Sequence, residues 1–194
     1  TGDTTTFTGG VTATAPSQVN LAGTIQTTNT LISLGDAGTP VVLTANTILS
    51  GNTAGAITLG GTVNGAYSLT INTTGTTTLS GDIGGNTALT TLTTNTGGTT
   101  VISVDIETSS TQTYNDAVTI NGTLDFTGST VQFANTLAGD DGTGDNLTIS
   151  GALDLDGAAT SLTSLTVEGT SNLGADVTTS GTQTYSGAVV LSND

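Results

Sequence analysis

The sequence predicts an all-β chain wound as a parallel β-solenoid. Three observations carry the prediction. Apolar and polar residues alternate in short runs, turn-forming dipeptides separate the runs, and stretches of the chain recur at a spacing of about 71–78 residues. Helix signals are nearly absent, because Lys and Arg are missing and Ala and Leu do not recur at i, i+3, i+4 over any length.

The runs follow one another along the chain with the period of half-buried strands. Val19-Asn20-Leu21 alternates, as do Ile57-Thr58-Leu59 and Tyr67-Ser68-Leu69-Thr70-Ile71. Ile102-Ser103-Val104-Asp105-Ile106 continues the pattern, followed by Val118-Thr119-Ile120, Leu124-Asp125-Phe126 and Val131-Gln132-Phe133. Leu147-Thr148-Ile149, Leu153-Asp154-Leu155 and Val189-Val190-Leu191 complete it. Between them lie Gly60-Gly61, Asn64-Gly65, Gly84-Gly85, Gly97-Gly98, Asn121-Gly122, Asp141-Gly142 and Asp156-Gly157, each a turn signal.

Longer-range repetition groups these strands. Thr111-Gln112-Thr113-Tyr114 with Ala117-Val118 recurs, shifted by 71, as Thr182-Gln183-Thr184-Tyr185 with Ala188-Val189, and Asp105-Ile106 recurs at the same shift as Asp176-Val177. Leu89-Thr90-Thr91-Leu92 matches Leu162-Thr163-Ser164-Leu165 at 73. Ile57, Leu59, Val63 and Gly65 match Val131, Phe133, Leu137 and Gly139 at 74, and Leu69-Thr70-Ile71 matches Leu147-Thr148-Ile149 at 78. The organisation read from this is the tail of a preceding degenerate repeat over 1–39, one repeat over 40–116, a second over 117–187, and the opening of another over 188–194.

Two architectures accommodate such a unit: a tandem of small β-sandwich modules, or a solenoid in which the repeat spans three or four coils of about 20 residues. The composition favours the solenoid. Sandwich modules need large hydrophobic anchors, and this chain has no Trp and only 3 Tyr and 3 Phe. A solenoid coil needs only a thin core of small aliphatics, because its neighbours cover it. Thr and Asn are also suited to stacking as identical ladders. About ten coils at ~4.8 Å each would make a rod roughly 45–50 Å long, with an open edge at each end.

Composition excludes much chemistry. The 194 residues include 15 acidic side chains and no Lys, Arg or His, for a net charge of −15; Cys and Met are absent too. Without cations the chain cannot neutralise nucleic-acid phosphates or dock a basic patch on an anionic membrane. It has no Cys or His for zinc and no Ser–His or Cys–His nucleophile pair. No apolar run approaches the ~18 residues of a transmembrane helix, so membrane insertion is not expected. The lack of an initiator Met reads as a processed product or a stretch of a longer polypeptide.

The Thr-Gln-Thr-Tyr-x-x-Ala-Val segments at 111–118 and 182–189, set among Gly/Asn/Thr-rich strands, resemble the long degenerate repeats of secreted bacterial surface proteins of the filamentous-haemagglutinin and autotransporter-adhesin type. The resemblance covers most of the chain from about 40 onward. It implies a right-handed parallel β-helix, exported to the extracellular or cell-surface space of a prokaryote, acting as a fibrous stalk or adhesin. The acidic, Thr/Asn/Gly-rich composition agrees with that location.

Candidate sites are few. The densest acidic stretch is Asp140-Asp141-Gly142-Thr143-Gly144-Asp145-Asn146. Carboxylates spaced by glycines suit calcium, a hard cation that takes six to eight oxygens from a flexible loop; the competing reading is a solvated turn inserted into the repeat. Asp140, Asp141 and Asp145 are the metal candidates. No other cofactor is expected. Asp154 and Asp156 would share one face of an extended strand, the arrangement a glycosidase carboxylate pair could use, but no His, Arg or Lys exists to accompany them. Thr-x-Thr pairs at 12–14, 28–30, 91–93, 94–96, 111–113 and 182–184 are too irregular for a water-ordering rank of the ice-binding kind and read as ordinary strand threonines. Asn72, Asn121 and Asn146 head Asn-x-Thr sequons.

The function expected is therefore structural and non-catalytic: an extracellular fibre or stalk, in a surface layer or biofilm matrix, whose partners are copies of itself stacked end to end. The alternative is an adhesin segment whose loops bind a glycan or surface receptor. With no Lys or Arg, such a fibre offers trypsin-like proteases no cleavage site.

Overall fold

A computed structural model describes residues 3–192; positions 1–2 and 193–194, the outermost residues of the first and last repeat segments, lie outside it. The described chain is all-β and winds into nine three-sided coils, with Val189–Leu191 opening a tenth. Every pairing between strands is parallel. Side one carries Thr4–Phe7 and then segments 24–27, 47–50, 69–72, 92–94, 111–114, 130–133, 152–155 and 171–173. Side two carries Val11–Ala13, Ile32–Leu34, Ile57–Leu59, Thr76–Leu79, Thr99–Ile102, Ala117–Ile120, Leu137–Gly139, Ala159–Leu162 and Val177–Thr179. Side three carries segments 19–21, 41–43, 63–64, the single residue Ile83, then 106–107, 123–127, 146–149, 164–167 and 183–185. Coil length is uneven: the coil that pairs Asp154 with Asn172 is short, and the one that pairs Ser33 with Thr58 is long.

Alternation sends one residue in two into a thin axial core. On side three one inward position reads Val19, Val41, Val63, Ile83, Ile106, Phe126, Ile149, Val167 and Tyr185, one residue per coil. From Val41 to Val167 these residues are buried. Each full burial of such a side chain favours folding by about 1.5–3 kcal/mol, and β-branched residues suit the extended backbone. In coils six and seven the core holds Tyr114, Phe126 and Phe133; Tyr114 stacks on Phe133 at 5.2 Å between ring centroids. Half of the chain's six Tyr and Phe thus lie in two adjacent coils of the rod.

Corners are of two kinds. Some are loops, as the turn dipeptides predict. Others are bends in an unbroken strand. Leu124-Asp125-Phe126 and Val131-Gln132-Phe133 read as two strands from sequence, but the strand Thr123–Phe133 runs through both and shifts register between Thr127 and Thr130. Asn146–Leu155 does the same. A column of glycines marks this corner in successive coils: Gly128, Gly151, Gly169 and Gly187. A Cβ on Gly151 would lie 1.9 Å from the Gly128 carbonyl oxygen, and one on Gly169 would lie 2.4 Å from that of Gly151. The backbones approach too closely for any side chain.

Thr stacks in short ladders, Thr70–Thr93–Thr113 on side one and Thr148–Thr166–Thr184 on side three, and the Thr76 and Thr99 hydroxyls lie 3.3 Å apart, but no Asn ladder forms among the described residues. The side chains of Asn and Asp instead accept main-chain N–H bonds from the adjacent coil. Asn29 Oδ1 accepts from Thr53 and Ala54 (2.8 and 3.3 Å), and Asn64 Oδ1 from Asn86 and Thr87 (both 2.9 Å). Asn95 Oδ1 accepts from Thr73 (2.7 Å), and Asp116 Oδ1 from Gly98 (2.7 Å). Corner amides would otherwise lack partners, which is costly wherever water is excluded.

The sequence repeat is out of phase with the coil. Residues 40–116 supply eleven successive sides, starting on side three of coil two; residues 117–187 supply eleven more, starting on side two of coil six; segment 189–191 then starts on side one. Twelve sides would return each copy to its starting face. Accordingly Gln112 and Tyr114 lie on side one, and their counterparts Gln183 and Tyr185 lie on side three.

Candidate functional site

The acidic loop 140–145 forms the corner between sides two and three in coil seven. The same corner is only Asn121-Gly122 in coil six and Thr163 alone in coil eight. The longer loop therefore bulges from the rod and is held from both flanking coils. The Gly144 N–H donates to Thr163 Oγ1 (2.8 Å), and the Thr163 N–H donates to the Asp145 carbonyl (2.8 Å). The Asn121 amide donates to Asp140 Oδ2, and the Gly122 N–H donates to Asp145 Oδ1 (2.9 Å). Gly142 and Gly144 take the left-handed conformation that the tight path requires (φ 76° and 80°).

The structure brings the three predicted carboxylates together: one oxygen from each of Asp140, Asp141 and Asp145 lies within 4.8 Å of the others. Asp140 and Asp141 are exposed, as a solvated turn would have them; Asp145 is buried. Asp141 accepts from both the hydroxyl and the N–H of Thr143 (2.7 and 2.8 Å), and these bonds, the hydroxyl's first, hold its pKa below the usual 3.8.

Asp154 and Asp156 do not share a strand. The strand ends at Leu155, leaving Asp156 exposed in the following turn. Each carboxylate is engaged by an amide of a neighbouring coil: Asn172 Nδ2 donates to Asp154 (2.9 Å) and Gln132 Nε2 to Asp156 (3.3 Å). The Thr-x-Thr pairs scatter: 12–14 starts on side two, 111–113 lies on side one and 182–184 reaches side three. The row that the fold does align on side two is Thr12, Ser33, Thr58, Thr78, Val101, Thr119, Ala138 and Thr160, at spacings too uneven to read from sequence. Of the sequon residues, Asn72 ends a strand on side one, whereas Asn121 and Asn146 flank the acidic corner.

A second acidic group lies outside the sequence-predicted candidates. Asp82, Asp105 and Asp125 occupy one position in coils four to six, and with Glu107 they line an open groove on side three. They form a like-charge column along the rod. The Asp125 N–H donates to Asp105 Oδ1 (2.8 Å). Burial raises the Asp125 pKa, opposed by the Ser150 hydroxyl and reinforced by the charges of Asp105 and Glu168. The sequence signal is present once the core row is known: each of these Asp residues directly precedes an inward Ile or Phe.

Comparison with protein-family models, curated proteins and solved structures returns no match.

Proposed function

We propose that the chain is a structural segment of an extracellular fibre or stalk on a prokaryotic surface, built to stack end to end with copies of itself. The observation that carries this reading is parallel pairing from coil to coil through nine coils, by strands and, at Ile83, by single-residue bridges. A rod of nine coils is about 43 Å long at ~4.8 Å per coil. Its stability is distributed coil by coil, because each coil buries its apolar row only against the next. The outermost described strands, Thr4–Phe7 and Val189–Leu191, are exposed. Parallel pairing of the kind that joins its own coils would also join it to a second copy.

Electron microscopy and sedimentation of the purified chain test this. The expected result is rods lengthening in steps of about 43 Å as concentration rises. Separate single-chain particles at every concentration would remove the self-assembly reading. Antibody labelling of intact source cells tests location; signal only after lysis contradicts a surface fibre.

A further inference from the structure

We propose that the corner loop of coil seven is a calcium-type cation site formed by Asp140, Asp141 and Asp145, and that the bound ion ties coils six, seven and eight together. The cluster of carboxylate oxygens within 4.8 Å is one observation. The second, independent of it, is the state of Asp145. Its Oδ1 accepts the Gly122 N–H, but its Oδ2 is buried with no partner among the described residues. Asp116 shows what the fold does when such a carboxylate only caps a corner. It is equally buried, takes the Gly98 N–H on one oxygen, and takes the Thr100 hydroxyl (3.4 Å) on the other. Asp145 has the same cap and a spare acceptor. Gly139 leaves that acceptor its room, since a Cβ there would lie 2.6 Å from Oδ2. A buried acceptor left unpaired in a native fold calls for an ion, a water or a proton.

The chemistry selects among these. Three carboxylates this close repel one another, and no Lys, Arg or His exists anywhere in the chain to neutralise them. The neutralising charge must come from solvent. An all-oxygen donor set on a glycine-hinged loop suits Ca²⁺, which accepts irregular geometry and completes its shell with water; Mg²⁺ demands a near-ideal octahedron and loses water reluctantly. The loop's bonds to Asn121, Gly122 and Thr163 carry the effect of the ion to both flanking coils. The inference stands apart from the fibre reading and does not depend on it.

Calorimetric titration and thermal melting of the purified chain with CaCl₂ test the site, with NaCl at matched ionic strength as the control for screening of the −15 charge. The expected result is saturable binding of one ion, and a melting temperature roughly 3–6 °C above the NaCl control at ten times Kd. The double variant Asp140→Asn/Asp141→Asn changes only exposed side chains, keeps the β circular dichroism of the parent, and abolishes both signals. No heat up to roughly 10 mM Ca²⁺, ten times the weakest dissociation constants of extracellular calcium modules, overturns the proposal. So does a melting shift matched by NaCl, or one that survives in the double variant.

Discussion

Gln112 shows how single residues hold a solenoid corner. It is fully buried, and its Nε2 donates to the carbonyls of Ile106 (3.2 Å) and Thr127 (2.8 Å), while its Oε1 accepts from the Tyr114 hydroxyl (2.9 Å). Gln183 and Tyr185 repeat the arrangement, with Nε2 on the Val177 carbonyl (3.0 Å) and the Tyr185 hydroxyl on Gln183 (3.1 Å), but there the pair is open to water. The two sites separate geometry from burial. Tyr114→Phe strands a buried acceptor and is expected to cost about 1–3 kcal/mol. Tyr185→Phe leaves an acceptor that water reaches and is expected to cost under about 0.5 kcal/mol. Urea melts of the two variants decide it, and equal costs would refute the argument from burial. The Thr-Gln-Thr-Tyr motif is legible as a repeat. Its corner role is not, because Gln reads as a surface residue until both of its carbonyl partners are brought around the bend.

Individual strands are legible where alternation and turn dipeptides agree, as at Ile57–Leu59 and Ala117–Ile120. They are misread where the chain turns without a loop. The bend at Gly128 needs no turn dipeptide, since it is a register shift made possible by a missing side chain. Gly151 in the same column gives the sharpest test. Its added Cβ would meet backbone, the carbonyl oxygen of Gly128 at 1.9 Å, which cannot rotate aside as a side chain would. Gly151→Ala must therefore pry coil seven from coil six at that corner. We expect it to cost more than about 3 kcal/mol. Gly9→Ala, where nothing lies within 4 Å, should be nearly neutral. Paired thermal melts check this; a Gly151→Ala chain that melts with the parent would show that the coils separate freely at the glycine column.

At the scale of the whole molecule, the repeat period is visible in the sequence but its phase is not. Coils of uneven length make eleven sides and twelve sides indistinguishable by counting, so only the pairing shows that successive copies turn by one face. Charge is the other global property, and it gives the last prediction. A net charge of −15 with no internal cation opposes the compact state by self-repulsion. Two carboxylates that lose solvation on folding, the buried Asp116 and the exposed Asp125, add to this. Burial raises the pKa of Asp116 against the bonds from Gly98 and Thr100, and burial raises that of Asp125. For both groups the folded chain binds protons more tightly than the unfolded chain, whose Asp value is 3.8. In the window above 3.8 and up to the raised values, folding takes up protons, so stability grows as pH falls. Asp141 has the opposite sign, since its pKa is lowered, and its contribution disappears only as pH falls below 3.8. The melting temperature should therefore rise as pH falls from neutrality toward 3.8 and turn over below it, where the Asp141 contribution is lost, contrary to the acid lability of proteins stabilised by ion pairs. Melts at fixed ionic strength, with a chelator to exclude cation binding, measure it. The double variant Asp116→Asn/Asp125→Asn should flatten the rise, because Asn keeps an oxygen for the Gly98 N–H without the buried charge. A melting temperature that falls steadily on acidification would mean that neither self-repulsion nor these two carboxylates governs the stability of the rod.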